Sequence, residues 1–249
     1  MGKREVMPYL QSSAFSLFTS VMTIADNFTS VMNRIAAAAK RANRDPLSVR
    51  LVTVTKTVSI EGIREALASG AEILGENRVQ EAKEKIEQLG SSAGWHLIGH
   101  LQTNKAKYAV KLFDLIHSVD TLELAAEIDK QAAKIGKLQD VLIEVSIAGE
   151  AAKAGVALDD AVNLVKRAAL LKNIRIKGLM TMPPYSDDPE KSRPYFKKLK
   201  ELSAIIDREN IPGVSMAELS MGMSGDFEVA IEEGATLVRV GTAIFGERV

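Results

Sequence analysis

The chain has 249 residues, of which 46% are apolar and 26% are charged, a composition typical of a globular protein rather than a disordered or fibrous one. Its 32 basic and 32 acidic residues balance, so no overall field favours nucleic acid or an anionic membrane as a partner. Because the chain has no cysteine, disulfides and thiolate chemistry are excluded, and a cytoplasmic location is expected.

The first segment, residues 1–22, is expected to be an extension that is disordered or partly helical. Its apolar stretch is interrupted by polar residues such as Gln11 and Thr19, unlike the apolar region of a signal peptide. No window of the chain approaches the roughly twenty apolar residues that span a bilayer. Residues 23–249 are expected to form one domain, since no linker rich in Pro, Gly or Ser divides them.

Eight short runs, each close to continuously apolar, follow one another from Arg50 onward. This pattern is typical of parallel strands that are covered on both faces. The runs are Leu51–Thr55, Glu72–Leu74, Trp95–Ile98, Leu115–Val119, Val141–Val145, Ile174–Met180, Ala217–Leu219 and Leu237–Val240.

Amphipathic segments alternate with these runs and carry apolar residues at every third or fourth position, as helices do. They include Ile60–Ala68, Val79–Leu89, Leu122–Lys134, Leu158–Leu170, Arg193–Arg208 and Phe227–Glu233, and a further helix, Asp26–Ala42, precedes the first run. Ser59 and Asp120 are predicted N-caps, and glycines at 70, 90, 136 and 234 are predicted helix ends.

The alternation predicts an α/β fold, a single (β/α)8 TIM barrel with an extra N-terminal helix; a doubly wound open sheet is the alternative. In such barrels the chemistry lies at the C-terminal ends of the strands. The polar residues at those ends are Lys56, Asn77, His100, Ser118, Ser146, Thr181, Ser220 and the segment Arg239–Thr242.

Lys56 follows the first run directly. A lysine that is partly desolvated at a barrel rim can lose its proton and act as an amine nucleophile that forms a Schiff base. For a lysine taken at random, however, the more common explanation is a side chain that ends a strand and extends into water. Position alone therefore gives weak support for a function of Lys56.

Two glycine-rich segments, SMGMSGD at 220–226 and RVGTAIFG at 239–246, follow the seventh and eighth runs. Loops after these strands commonly bind phosphate in barrels, because glycines let backbone amides approach an anion. A helix expected to begin at Ser224 or Gly225 would add unpaired amides. Any single glycine is more simply explained by a tight turn, but the joint placement of the two segments favours an anion site.

Arg239 lies in an otherwise apolar strand, where a charge is costly unless it is paired or faces a polar site. A structural salt bridge would explain it as well. His96 and His100 share a strand face but would lie about 13 Å apart, too far for one metal ion. We therefore expect no metal site.

Several of these segments together resemble the pyridoxal-phosphate homeostasis proteins, over about residues 23–246. The segments are VTK at 54–56, GEN at 75–77, WHLIGHLQTNK at 95–105, HSVD at 117–120, GLMTM at 178–182, SMGMSGD at 220–226 and RVGTAIFG at 239–246. The resemblance implies a barrel like the N-terminal domain of alanine racemase, of the fold-type III class of proteins that use pyridoxal 5′-phosphate (PLP).

The resemblance also implies the residues that bind PLP. Lys56 would carry the cofactor as a Schiff base, Asn77 would lie in the pocket wall, and Arg239 would lie near the pyridine nitrogen. Phosphate contacts are implied for Ser220, Gly241 and Thr242, with backbone contacts from Met221 and Gly222. The family is regarded as carriers or regulators of PLP supply without established catalysis, so we expect storage or delivery of PLP, with PLP-dependent apo-enzymes as recipients.

Two enzyme functions remain alternatives. The first is a racemase-like enzyme that acts on amino acids with PLP; the second is a barrel enzyme that holds another phosphorylated aldehyde or ketone on Lys56. Racemases of this fold carry a second domain with a catalytic tyrosine, which this length does not accommodate, and Tyr185 is the tyrosine of this chain to be tested as a proton donor. A barrel without the dimer-forming domain is expected to be a monomer.

Overall fold

The fold is described here from a computed structural model that covers residues 22–90, 92–148 and 154–247. The predicted N-terminal extension therefore lies outside the described residues, apart from Met22. Within the described residues, no helix combines the length and apolar character needed to cross a membrane.

Strands and helices alternate through the described residues. The strands are β1 Arg50–Val54, β2 Ile73–Glu76, β3 Gly94–Leu97, β4 Leu115–Val119, β5 Gln139–Ser146, β6 Val156–Ala157, β7 Ile174–Met180, β8 Val214–Ser220 and β9 Leu237–Val240. The helices are α1 Ile24–Arg41, α2 Ile60–Ala68, α3 Val79–Leu89, α4 Ala106–Leu112, α5 Leu122–Ala133, α6 Ala161–Ala168, α7 Arg193–Arg208, α8 Phe227–Glu232 and α9 Thr242–Phe245.

Eight of these strands close into a parallel barrel. The hydrogen-bonded order is β4-β3-β2-β1-β9-β8-β7-β5, and β4 also pairs with β5, which closes the ring. The two-residue strand β6 pairs with the end of β5 and is not a member of the ring. The predicted (β/α)8 barrel is confirmed, and the open-sheet alternative is wrong.

The extra helix α1 begins with a capping box, in which Thr23 Oγ1 accepts from the Asp26 amide and the Asp26 carboxylate accepts from the Thr23 amide. Its apolar face packs against α2, α8 and α9, and Arg34 adds an ion pair to Glu228 of α8. Since α9 has only four residues, α1 fills the eighth helical position beside β9 and β1.

Two local predictions are corrected by the structure. Thr121, not Asp120, caps α5, because its hydroxyl accepts from the Leu124 amide while Asp120 accepts from the Gly155 amide across a loop. The predicted helix Leu158–Leu170 divides into a 3-10 turn, Leu158–Asp160, followed by α6. Ser59 caps α2 as predicted, accepting from the Gly62 amide.

Candidate functional site

A pocket of about 410 Å³ opens where the strands of the barrel end. Its lining includes Lys56, Asn77, Arg239, Gly241 and Thr242. Lys56 follows β1 and Arg239 lies in β9, so the pairing of these two strands brings residues 56 and 239 to one cavity. A volume of this size suits a small organic molecule.

Lys56 occupies the second position of a tight turn that begins where β1 ends. The carbonyl of Thr55 accepts from the Val58 amide at 3.0 Å, and Thr57, between them, has a φ of +61°. Such a conformation is strained for a β-branched residue. The turn directs the chain away from the strand at the pocket rim, where Lys56 is half-buried.

The wall beside Lys56 depends on a close approach between the ends of β2 and β3. A Cβ atom at Gly99 would lie 2.5 Å from the carbonyl oxygen of Asn77, so no larger residue fits without a shift. The Ser118 hydroxyl donates to the Gly99 carbonyl at 2.7 Å and holds this segment from β4. The predicted strand-end residues Asn77 and His100 thus line the pocket, whereas Ser118 is buried and supports Gly99 from behind.

Arg239 reaches the pocket from the barrel interior, where it is only 4% exposed. Its guanidinium donates to Ser220 Oγ at 2.6 Å and to the carbonyl of Thr181 at 3.0 Å. Burial lowers the pKa of Arg239 to about 10, and the nearby Glu144 carboxyl opposes this effect. Arg239 therefore remains charged near neutral pH and supplies a fixed positive charge to the pocket.

Ser220 joins Arg239 to a pair of buried histidines. Its Oγ lies 2.9 Å from Nδ1 of His117, and Nε2 of His117 lies 3.0 Å from Nδ1 of His96. Burial lowers the pKa of His96 to about 3 and that of His117 well below its ordinary value, so both rings are neutral. The Ser220 side chain is fully buried in this network.

Met221 and Gly222 also lie behind the pocket rather than in its lining. Met221 is buried among apolar side chains of the outer core. Gly222 has a φ of +90°, and a Cβ there would lie 2.5 Å from Cβ of Ala230. Of the eight residues predicted to bind the cofactor, Lys56, Asn77, Arg239, Gly241 and Thr242 line the pocket, whereas Ser220, Met221 and Gly222 support it from below.

The far end of the pocket is built from two loops. Ser224 Oγ accepts from the amides of Gly241 and Ala243, both at 3.3 Å, so two backbone donors converge on one hydroxyl. A Cβ at Gly225 would meet nothing within 4 Å, which leaves this loop open to the cavity. Amides and hydroxyls at this end are groups that can donate hydrogen bonds to an anion.

The expected helix start at Ser224 or Gly225 is wrong, because α8 begins at Phe227. Residues 224–226 form a turn instead, and the Asp226 carboxylate accepts from the Met223 amide at 2.7 Å. The anion-binding capacity of this loop therefore does not come from the end of α8.

Glu144 was missed by the sequence reasoning, which considered Ser146 at the end of this strand. Glu144 is buried on β5, two residues after the interior residue Leu142 and therefore on the same face. Burial and the nearby Asp120 raise the pKa of Glu144 to about 7, although Arg239 acts in the opposite direction. A lone acid within the apolar run Val141–Val145 is the signal that could have revealed it.

The described residues contain no group of three or more His, Asp or Glu side chains placed to hold a metal ion. Tyr185 lies at the pocket edge but is 88% exposed, and its hydroxyl donates to Asp187 at 2.7 Å. Hydrogen bonding to Asp187 raises the pKa of the Tyr185 phenol.

Comparison with known proteins identifies relatives along almost the whole chain. Residues 27–249 match the family model described as alanine racemase, N-terminal domain. The pyridoxal phosphate homeostasis protein of Aquifex aeolicus (strain VF5) is 48% identical over 228 residues, which are 91% of this chain and 99% of that protein.

Solved structures give the same result. An unknown protein from Bifidobacterium adolescentis has a TM-score of 0.85 and 39% identity, covering 89% of this chain and 94% of that chain. PipY of Synechococcus elongatus PCC7942, with PLP bound, has a TM-score of 0.78 and 36% identity, covering 90% and 100% respectively. The residues matched by the family model, 27–249, include all the strand ends that line the pocket.

Proposed function

Because this chain belongs to the pyridoxal phosphate homeostasis proteins, within the alanine racemase N-terminal domain family, we propose that it binds PLP on Lys56 as a Schiff base and stores or delivers it. The observation that carries the proposal is one pocket with a lysine at one end, an arginine beside it and converging backbone amides at the other. The same pocket fits a role in PLP homeostasis without committed catalysis.

The donor set of the pocket matches the functional groups of PLP. An amine condenses with an aldehyde with loss of water, which is the chemistry PLP supplies when bound. Lys56 would provide that amine from the pocket rim, where its side chain is half-buried. Asn77 would lie along the wall beside it.

The phosphate would be held at the end formed by Gly241 and Thr242. The amides of Gly241 and Ala243 already converge on Ser224 Oγ, and this hydroxyl can turn to donate to a phosphate oxygen. Gly225 leaves room for close approach. Ser220, Met221 and Gly222 would then act by shaping this loop from beneath.

Arg239 would face the ring nitrogen. A guanidinium cannot give up its proton near neutral pH, and the Ser220 and Thr181 contacts hold it in place. Its charge would keep the ring nitrogen unprotonated and weaken the ring as an electron sink, which disfavours carbanion chemistry. This supports a carrier that releases PLP to PLP-dependent apo-enzymes over an enzyme.

The test is the absorption spectrum of the purified protein with added PLP. We expect a Schiff-base band, and borohydride should fix one PLP per chain onto Lys56 in a peptide found by mass spectrometry. Lys56→Ala should abolish the covalent link, whereas the exposed Lys107→Ala should not. A wild-type protein that stays colourless and gives no adduct would refute the proposal. A different fixed mass would indicate another phosphorylated aldehyde or ketone.

A racemase-like enzyme is the second candidate, favoured by the fold and by the presence of Tyr185 at the pocket edge. Incubation of the PLP-loaded protein with single amino-acid enantiomers in heavy water should show no solvent deuterium at the α-carbon at turnover rates. Exchange at such rates that is lost in Tyr185→Phe would favour the enzyme instead.

The predicted cytoplasmic location and monomeric state belong to the same proposal. A carrier that hands its ligand to many recipients needs an open rim, and the loop with Tyr185 leaves the pocket accessible in a single chain. Light scattering of the purified protein should give a mass near that of one chain, 27.0 kDa.

A further inference from the structure

A buried ionic cluster lies directly beneath the turn that carries Lys56. It consists of Lys85 and Glu81 on α3 and Glu76 at the end of β2. Lys85 Nζ lies 2.7 Å from Oε1 of Glu76 and 2.7 Å from Oε1 of Glu81. The side chain of Lys85 is 8% exposed and that of Glu76 is 0% exposed, so both charges are withdrawn from water.

The cluster binds the backbone on both sides of Lys56. Lys85 Nζ donates to the carbonyl of Thr55 at 2.6 Å, and the Thr55 hydroxyl donates to Glu76 Oε1 at 2.6 Å. On the other side, the amide of Thr57 donates to Glu81 Oε1 at 2.5 Å. All three members of the cluster thus contact a residue adjacent to Lys56.

The conformation that the cluster holds is one that the chain would not adopt by itself. Thr57 has a φ of +61°, which is unfavourable for a β-branched side chain, and glycine or asparagine is the usual residue at this turn position. The contact to Glu81 fixes the Thr57 amide and so opposes relaxation of the turn. Strain of this kind persists only where surrounding structure maintains it.

Stability alone is a poor explanation for the cluster. Withdrawing the Glu76 carboxylate and the Lys85 ammonium from water costs more free energy than burying apolar side chains of similar volume, so this buried ion pair is a weak stabiliser. The burial of Glu76 raises its pKa even though Lys85 opposes this, and one of its two carboxylate oxygens, Oε2, has no hydrogen-bond partner among the described residues. What the cluster does accomplish is a fixed backbone around Lys56.

We propose that Lys85, with Glu76 and Glu81, is a positioning group that holds the Thr55–Val58 turn so that the Lys56 amine points into the pocket. The inference rests on the proposed function, because Lys56 matters only as the attachment point of PLP. None of the three cluster residues lines the pocket, so each acts through Thr55 or Thr57 and not on the cofactor.

The experiment compares Lys85→Met with Lys83→Met, a matched control on the same helix whose ammonium is exposed and pairs with Glu87 at 3.6 Å. PLP affinity, the rate of Schiff-base formation and the pH profile of the absorption band are measured for both. We expect Lys85→Met to bind PLP about tenfold more weakly or worse and to form the adduct more slowly, as loss of a charge-assisted hydrogen bond implies. Lys83→Met should match the wild type.

Two further variants keep the result interpretable. Glu76→Gln with Lys85→Met removes both buried charges and should recover the melting temperature while PLP binding stays impaired. Glu81→Ala changes a side chain that is 26% exposed, so it should fold, and it should weaken PLP binding by about threefold or more because Thr57 loses its acceptor. This variant decides the question if Lys85→Met does not fold.

A readout without cofactor completes the test. The rate at which Lys56 is reductively methylated by formaldehyde and cyanoborohydride in the PLP-free protein should change in Lys85→Met and Glu81→Ala but not in Lys83→Met. Folded variants with wild-type PLP affinity, adduct rate and methylation rate would overturn the positioning role while leaving the proposed function intact. A wild-type protein that forms no adduct would instead refute the proposed function.

Discussion

The barrel has two buried layers of opposite character. The outer layer, between the strands and the helices, is a continuous apolar core whose largest members include Phe113, Phe196 and Phe227. The interior of the barrel has only a small apolar cluster, around residues such as Leu142 and Met180. The rest of the interior is filled by the polar side chains His96, His117, Glu144, Ser220 and Arg239.

The apolar outer layer stabilises the fold, whereas the polar interior supports the pocket. Barrel interiors are usually packed with branched apolar side chains, and each buried polar group costs free energy unless it is hydrogen-bonded. Here His96, His117, Ser220 and Arg239 form a hydrogen-bonded chain, which we call the polar column. It leads from the neutral histidines through Ser220 to Arg239 at the pocket. The outer layer must therefore supply most of the stability that the interior does not.

The largest effect on the free energy of unfolding is expected from a substitution that leaves a cavity in the outer layer. Phe196→Ala on α7 should lower the free energy of unfolding by about 3–5 kcal/mol, the usual cost of removing a fully buried aromatic ring. Urea unfolding would measure this, and Phe196→Leu should cost less. The folded fraction should still form the Lys56 adduct with PLP at full stoichiometry. A variant that keeps its stability but loses PLP binding would contradict the separation of the two layers.

The second-largest effect on the free energy of unfolding is expected from Glu144, and it depends on pH. The folded-state pKa of Glu144 is raised to about 7 from an ordinary value of 4.5, so between these values the folded protein holds a proton that the unfolded chain has lost. The stabilisation is complete below about pH 4.5 and is lost as pH rises to about 7, a change of roughly 3 kcal/mol at most.

Glu144→Gln should remove this loss of stability at rising pH, because glutamine does not titrate. In the PLP-free protein, the variant should gain stability over the wild type between about pH 5 and about pH 8, measured by urea unfolding. The histidine pKa values are lowered, so both proteins lose stability as pH falls below about 6.5, and this common effect cancels in the difference. The exposed Glu87→Gln is the control. Parallel curves of stability against pH for wild type and Glu144→Gln would show that burial does not raise the pKa of Glu144.

The sequence predicted the elements with strong local signals most accurately. Three strands, Leu115–Val119, Ile174–Met180 and Leu237–Val240, and three helices, Ile60–Ala68, Val79–Leu89 and Arg193–Arg208, have the bounds that periodicity indicates. The seventh strand was predicted too short, as Ala217–Leu219 instead of Val214–Ser220. Its extra residues include Ser215 and Ser220, and only pairing with β7 makes them part of a strand.

The part of the candidate site that lies at strand ends could be predicted from the sequence. Residues at the ends of β1, β2 and β9 reach the pocket because parallel strands present their carboxyl ends together. The direction of the Ser220 side chain could not be predicted, because register shifts in the barrel decide which face a residue takes. Lys85 could not be predicted either, since its partner Thr55 is thirty residues away in sequence and in another element.

A smaller effect on stability is expected from removing one hydroxyl of the polar column. Ser220→Ala removes one of the two acceptors of the Arg239 guanidinium and the neighbour of His117 Nδ1, which should cost about 1–3 kcal/mol in the PLP-free protein. Ser215→Ala on the same strand is the matched control, because its buried hydroxyl has no hydrogen-bond partner within the described ranges. That change should be neutral or slightly stabilising. Equal costs for the two variants would mean that the column is not a connected network.

The smallest effect is expected at the opposite end of the barrel from the pocket. There Arg175 on β7 holds Asp140 on β5 with two contacts, Nε to Oδ1 at 2.6 Å and Nη2 to Oδ2 at 2.8 Å. Although bidentate, the pair is half exposed, so Arg175→Ala should cost less than about 1 kcal/mol and less still at high salt.

A double-mutant cycle with Asp140→Ala would isolate the pair from other contacts of either residue. The PLP affinity and the absorption band should not change in any member of the cycle, because the pair lies below the apolar cluster of the interior. A shifted band would mean that charge at the base of the barrel reaches Arg239 through the polar column. In that case the interior would be electrostatically coupled from end to end, and the pocket could not be treated apart from the base.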